Sequence, residues 1–196
     1  MDCAPFFNSS RSVTTRLTLN TSLIPKTDCK SIRARHHFAS MPYSEEEAEY
    51  PIAIARVVFR DYYLLEQMLA VQFAPQNSYC YAMDAKSSPE FKKAMRDLAG
   101  CFENVHVLEQ EFALDSMGHF MNIAHWECAK ALHKNPWEYF FMMQNHDIPI
   151  KTNLETVRIV KMLNGLNDIE SGPFPGGGRV HKNSSFAFED LELFKD

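Results

Sequence analysis

The stretch that decides the fold is Pro51-Ile-Ala-Ile-Ala-Arg-Val-Val-Phe59, followed by Arg60-Asp61. It is β-branched and almost continuously apolar, the pattern of a parallel strand covered on both faces. Asp61 then opens a helical pattern. Leu64, Leu65, Met68, Leu69 and Phe73 fall at i, i+1, i+4, i+5 and i+9, which places them on one face. Pro75-Gln-Asn77 ends that pattern. A strand passing into an amphipathic helix is the opening of a βαβ unit.

Working outward, Ser78-Tyr-Cys-Tyr-Ala-Met83 reads as a second strand and ends in Asp84. Ser88-Pro89 starts the next helix, with Ser as N-cap and Pro at the first helical position. Its apolar stripe is Phe91, Met95, Leu98 and Ala99. Val105-His-Val-Leu108 is a short third strand. Asp115 or Ser116 is expected to cap a longer helix reaching Leu132. Tyr139-Phe-Phe-Met-Met-Gln144 is a fourth strand. Thr152-Asn-Leu-Glu155 is a capping box, and Gly165 closes the helix that it starts. Ile169 is a possible start for a fifth strand. Strands alternating with helices predict a doubly wound α/β sheet. Such a sheet takes its ligand at the carboxyl ends of the strands, where Arg60-Asp61, Asp84 and Asn145-His-Asp147 fall.

The flanks differ from this middle. Residues 1–49 are polar, with a basic stretch (Lys30, Arg33, Arg35, His36, His37) and an acidic one (Glu45, Glu46, Glu47, Glu49), which reads as a solvated arm. After Gly172 comes Pro173-Phe-Pro-Gly-Gly-Gly178, then an acidic tail containing Glu189, Asp190 and Glu192. A length of 196 residues suits one domain with tails. Twenty Lys and Arg against 25 Asp and Glu give a net charge of -5, which argues against a nucleic-acid partner. No window reaches the roughly 18 apolar residues of a spanning helix, and the first eight residues do not read as a signal peptide. Three N-x-Ser/Thr sequons start at Asn8, Asn20 and Asn183, a modest pointer to the secretory lumen. The five cysteines, Cys3, Cys29, Cys80, Cys101 and Cys128, form no C-x-x-C. Free buried thiols and two disulfides with one cysteine left over both remain open on this count.

Several chemistries find no support. There is no G-x-G-x-x-G, no P-loop and no G-x-S-x-G nucleophile elbow. His119, His125 and His133 share a helix at spacings of six and eight, wrong for joint zinc ligation, and read as surface or core histidines. Asp-x-Asp, which would hold a divalent metal against a nucleotide-sugar diphosphate, is absent. A carboxylate at Asp84 can accept from a ribose hydroxyl or a uracil N–H, or it can cap the next turn. Asp147 can equally be a turn former.

Four blocks carry a resemblance. Glu45-Glu-Glu-Ala-Glu-Tyr-Pro-Ile-Ala53, Ala74-Pro-Gln-Asn-Ser-Tyr-Cys80, Ala99-Gly-Cys-Phe-Glu-Asn-Val105 and Ile150-Lys-Thr-Asn-Leu-Glu-Thr-Val-Arg158 occur in order. They resemble the core-2/I-branching β-1,6-N-acetylglucosaminyltransferases, from about Cys29 to Glu170. The sequence departs most at Leu114-Asp-Ser-Met-Gly-His-Phe120 and Met143-Gln-Asn-His146. The resemblance implies a GT-A-like (Rossmann-like) α/β sheet with helices on both faces, incomplete in its carboxyl-terminal half. It implies UDP-N-acetylglucosamine as donor, a glycan acceptor, and inverting transfer without metal or other cofactor. It implies a Golgi location behind a membrane anchor that this sequence does not show. It pairs Cys29 with Cys101 and Cys80 with Cys128, leaving Cys3 for an outside partner. Asp84 matches the family's strand-end aspartate near the nucleotide, and the strand at Val57-Val58 walls the uridine pocket. Donor binding is assigned on this reading to Val58, Asp84 and Asp147.

On the same reading, residues 1–49 are stem-like, 50–171 form the donor-side half of a transferase domain, and 172–196 form a linker and tail. No residue matches the family's general base, so the chain alone is expected to show little or no transfer. The alternative is a non-catalytic lumenal module that binds a nucleotide, a glycan or a full-length enzyme.

Overall fold

The computed structural model describes residues 20, 23–168, 183–185 and 187–191. Its elements are α1 (Cys29–Arg35), α2 (Glu45–Ala48), β1 (Ile52–Val58), α3 (Tyr62–Gln72), β2 (Ser78–Met83), α4 (Pro89–Ala99), β3 (Val105–Val107), α5 (Met121–Leu132), β4 (Tyr139–Met143), α6 (Asn153–Met162) and α7 (Phe188–Leu191). The sheet has four strands in the order β3-β2-β1-β4. Every pairing is parallel: Ala53 lies opposite Ser78, Ile52 opposite Tyr139, and Tyr79 opposite Val105. This is a Rossmann-like α/β fold, as the alternation of strand and helix predicts.

Each face of the sheet carries its own core. Ile52, Ile54 and Val58 of β1 join Tyr79, Tyr81 and Met83 of β2 against Ile32 of α1, Leu65 and Leu69 of α3, and Met95 and Leu98 of α4. The alternate residues Ala53, Ala55, Val57, Cys80 and Ala82 face Ala124, Cys128 and Leu132 of α5. The small side chains on that second face let α5 lie close to the strands. All seven residues of β1 and all six of β2 are buried, so their sequences cannot alternate apolar with polar.

Two disulfides pin helices to this frame, in the pairing that the resemblance implies. Cys29 at the start of α1 bonds Cys101 just past α4, with Cα atoms 5.2 Å apart. Cys80 of β2 bonds Cys128 of α5, with Cα atoms 5.6 Å apart. Closing loops of 72 and 48 residues stabilises the fold by roughly 2–4 kcal/mol each.

Two sequence readings are corrected. From Asp28 onward the polar segment is not a solvated arm. Ile32 is fully buried, Arg35 and His36 both reach the buried Glu66 carboxylate, and Glu47 is only 3% exposed because Asn153 donates to it. A local count of charge cannot see partners 30 to 106 residues away. The helix expected from Asp115 or Ser116 starts later, at Met121. Asp115 spends its carboxylate on the amides of Met117 and His119, within a turn where Gly118 has φ +88°. Phe120, at φ 61°, then blocks helical continuation backward.

The fifth strand considered at Ile169, the Gly-Pro segment at 173–178, Cys3 and Asn8 lie outside the described residues. Asn20 and Asn183 are exposed. No helix among the described residues is long and apolar enough to cross a membrane.

Candidate functional site

The carboxyl ends of β1, β2 and β4 open into one cleft of about 520 Å³. Val57, Val58 and Phe59 form its β1 wall, Asp84 and Lys86 its β2 side, and Gln144 to Asp147 its β4 side. Leu114, Asp115, Ser116 and Met121 close it from the segment that leads into α5. The three residues assigned to donor binding from sequence, Val58, Asp84 and Asp147, therefore come together around a single space. They are 26 and 63 residues apart in the chain, and only the parallel sheet brings them close.

Each polar wall residue is held by its neighbours. Asp84 is 6% exposed, and its Oδ1 accepts from the Lys86 amide at 2.9 Å, which makes the tight turn after β2. Its Oδ2 lies 3.6 Å from Lys86 Nζ. Lys86 Nζ itself donates to the Leu114 carbonyl at 2.5 Å, joining the two sides of the cleft. Asp147 Oδ2 accepts from the Gln144 amide at 2.6 Å. Both aspartates thus fill the turn-forming roles open to them from sequence, and both line the cleft.

The loop after β4 rests on a buried cation. Arg56 of β1 is 1% exposed and donates through Nη1 to the carbonyls of Gln144 at 2.7 Å and Asp147 at 2.8 Å. Burial holds its pKa below the ordinary arginine value. From the same loop, Asn145 Oδ1 accepts from the amides of Phe59 at 2.8 Å and Arg60 at 3.3 Å. His146 Nε2 meets Asp61 Oδ2 at 2.5 Å. Asp61 also lies 3.5 Å from Arg60 Nε and stands at φ 63°. Below the loop, His125 of α5 gives its Nε2 proton to the Met143 carbonyl at 3.1 Å, and burial holds its pKa below the usual histidine range.

Sequence reasoning placed Arg60-Asp61, Asp84 and Asn145-His-Asp147 at strand ends, and all lie at this end of the sheet. It missed Lys86, Leu114, Ser116 and Met121, which carry no motif. It also passed over Arg56, whose signal was present: a lone arginine inside an apolar strand must find buried acceptors. His119 is exposed and paired with Asp115, His133 is exposed, and only His125 is buried.

Fold and cleft together define a Rossmann-like α/β protein with a ligand-sized cleft at the carboxyl edge of a parallel sheet. The family is then shown by comparison. Residues 52–190 match the model of the Core-2/I-Branching enzyme family, and the chain belongs to that family. It is 36% identical over 171 residues to the human "Beta-1,3-galactosyl-O-glycosyl-glycoprotein beta-1,6-N-acetylglucosaminyltransferase 3", and 35% identical over 163 residues to the mouse protein of that name. These matches cover 86% and 82% of this chain but 38% and 36% of the relatives. The human "Beta-1,3-galactosyl-O-glycosyl-glycoprotein beta-1,6-N-acetylglucosaminyltransferase" is 36% identical over 150 residues, covering 76% of this chain and 35% of its own. The chain thus spans little more than a third of the relatives that it matches.

Proposed function

We propose that this chain forms the donor side of a β-1,6-N-acetylglucosaminyltransferase and binds UDP-N-acetylglucosamine in the cleft at the carboxyl ends of β1, β2 and β4. The observation that carries this is the convergence of Val58, Asp84 and Asp147 on one cleft in a chain of this family. Val58 and its neighbours offer an apolar wall to the base. Asp84 offers a carboxylate oxygen to a ribose hydroxyl or the uracil N–H.

Transfer would be a single displacement in which an acceptor sugar hydroxyl attacks the anomeric carbon and the diphosphate leaves. That hydroxyl must lose its proton to a base within hydrogen-bond reach. We assign no such base to this chain, so its own contribution is to bind and orient the donor. Binding should need no metal. Two disulfides fit an oxidising compartment, and we place the chain in the secretory pathway, in the Golgi lumen by analogy with the family.

Titration calorimetry of the 196-residue chain with UDP-N-acetylglucosamine tests the proposal. Saturable binding, unchanged by a chelator and weakened about tenfold in Asp84→Asn, is the expected outcome, a loss equivalent to one charge-assisted hydrogen bond. Absence of binding to the wild-type chain would overturn it.

A further inference from the structure

Two buried polar atoms of opposite character, one on a residue that lines the cleft and one on a residue bonded to a cleft-lining histidine, stand without partners among the described residues. Asn145 lines the cleft and is 4% exposed. Its Oδ1 is committed to the amides of Phe59 and Arg60, which fixes the orientation of the amide, and its Nδ2 has no partner among the described residues. Asp61 is 5% exposed. Its Oδ2 is committed to His146 and Arg60, and its Oδ1 has no partner among the described residues. Buried donors and acceptors left unpaired cost free energy, so their persistence calls for a group that satisfies them.

His146 supplies a third group. Its side chain is 45% exposed and lines the cleft. Because Nε2 donates to the Asp61 carboxylate, the neutral ring carries its proton there and leaves Nδ1 as an acceptor. The ring is further held edge-on to Phe59 at 6.1 Å. Asp61 adopts a left-handed backbone at φ 63°, a conformation that aspartate tolerates better than most residues, and this turns its carboxylate toward the loop after β4.

Resting on the reading of the cleft as a nucleotide-sugar site, we propose that Asn145 and His146, with Asp61 positioning the imidazole, form a subsite that takes a hydroxyl of the donor's sugar. The chemistry selects that class of group. The Asn145 amide N–H presents a donor, and the imidazole Nδ1 presents an acceptor. A sugar hydroxyl donates and accepts at once. A phosphate only accepts and would leave Nδ1 without a donor, and an ammonium only donates and would leave Asn145 unsatisfied. The position agrees: Asn145 and His146 line the cleft after β4, whereas Asp84 lines it at the end of β2.

The test compares UDP with UDP-N-acetylglucosamine by titration calorimetry on the wild-type chain, Asp61→Asn and His146→Ala, with a thermal midpoint recorded for each. Asn keeps the left-handed backbone at 61, and His146 is half exposed, so both variants should fold. Asn145 is left intact because it also props the turn after β1. The expected result is that both variants bind UDP as the wild type does, within about twofold, and lose about tenfold in affinity for the sugar nucleotide. Equal losses for both compounds would mean that these residues only shape the cleft, and would overturn the proposal. Unchanged affinity for the sugar nucleotide would overturn it too, while leaving the donor-site reading intact. Failure of the wild type to bind either compound would overturn that reading and the subsite with it.

Discussion

Arg56 shows how a single residue can carry the shape of the cleft. It sits in the central strand among side chains that are otherwise apolar, with its guanidinium under the loop after β4. The cost of burying that charge is offset by its hydrogen bonds to two backbone carbonyls, at 2.7 and 2.8 Å. Replacing it with Met keeps the volume but removes the side-chain donor to the Asp147 carbonyl and leaves the Gln144 carbonyl only the Asp147 amide, at 3.3 Å. Arg56→Met is therefore expected to lower stability by about 2 kcal/mol, read in urea unfolding. Amide exchange should quicken at Gln144 to Asp147 and stay unchanged at Val105 to Val107. A uniform rise in exchange across the sheet would contradict the local role. The residue types at Asp84 and Asp147 were legible from sequence because strand ends are predictable. The acceptors of Arg56 were not, because they lie 88 and 91 residues away.

At the scale of elements, the amino-terminal edge of the sheet is held by a relay of amides. Asn77 is 1% exposed and accepts from the Ile52 amide at the first residue of β1. It donates to Asn153 of α6, which in turn donates to Glu47 of α2. One turn residue before β2 thereby registers β1, α6 and α2. Asn77→Ala is expected to cost about 2 kcal/mol, since it strands a buried amide and breaks a side-chain pair. Exchange at Ile52 should rise sharply. The nucleotide binding proposed for the opposite end of the strands should survive, and its loss in this variant alone would contradict this separation of roles. The sequence reads Pro75-Gln-Asn77 as a helix breaker, which it is, but the relay depends on α2 and α6 meeting. The capping box at Thr152 was legible in full, because both of its partners lie within four residues. The start of α5 was misread because Asp115 had two local uses, and only the backbone at Gly118 and Phe120 chose between them.

At the scale of the molecule, two cores on opposite faces of one sheet are each crossed by a disulfide or tied to one. Cys80 and Cys128 are fully buried, between β2 and α5, whereas Cys29 is exposed at the start of α1. Mild reduction of the native chain should open Cys29–Cys101 first and leave Cys80–Cys128 closed until unfolding, because attack on a disulfide requires access for the thiolate. Alkylation followed by mass mapping would show the order, and equal rates at both bonds would contradict the burial argument. Opening the first bond should lower stability by roughly 2–4 kcal/mol without detaching α1, because Ile32 and the Arg35–Glu66 pair still hold it.

The sequence by itself determined the elements and their order. Strand periodicity, helix stripes, caps and breakers all act over a few residues, so β1, β2, β3 and β4 fall within a residue or two of where their patterns place them. It also determined the family, because four ordered blocks are a statement about sequence. Only the tertiary structure decided which strand ends share a cleft, which polar atoms remain unpaired within it, and that the charged segment before β1 folds onto the domain. Those outcomes depend on contacts between residues tens of positions apart, whose energies are set by burial, and no local pattern records burial between distant segments.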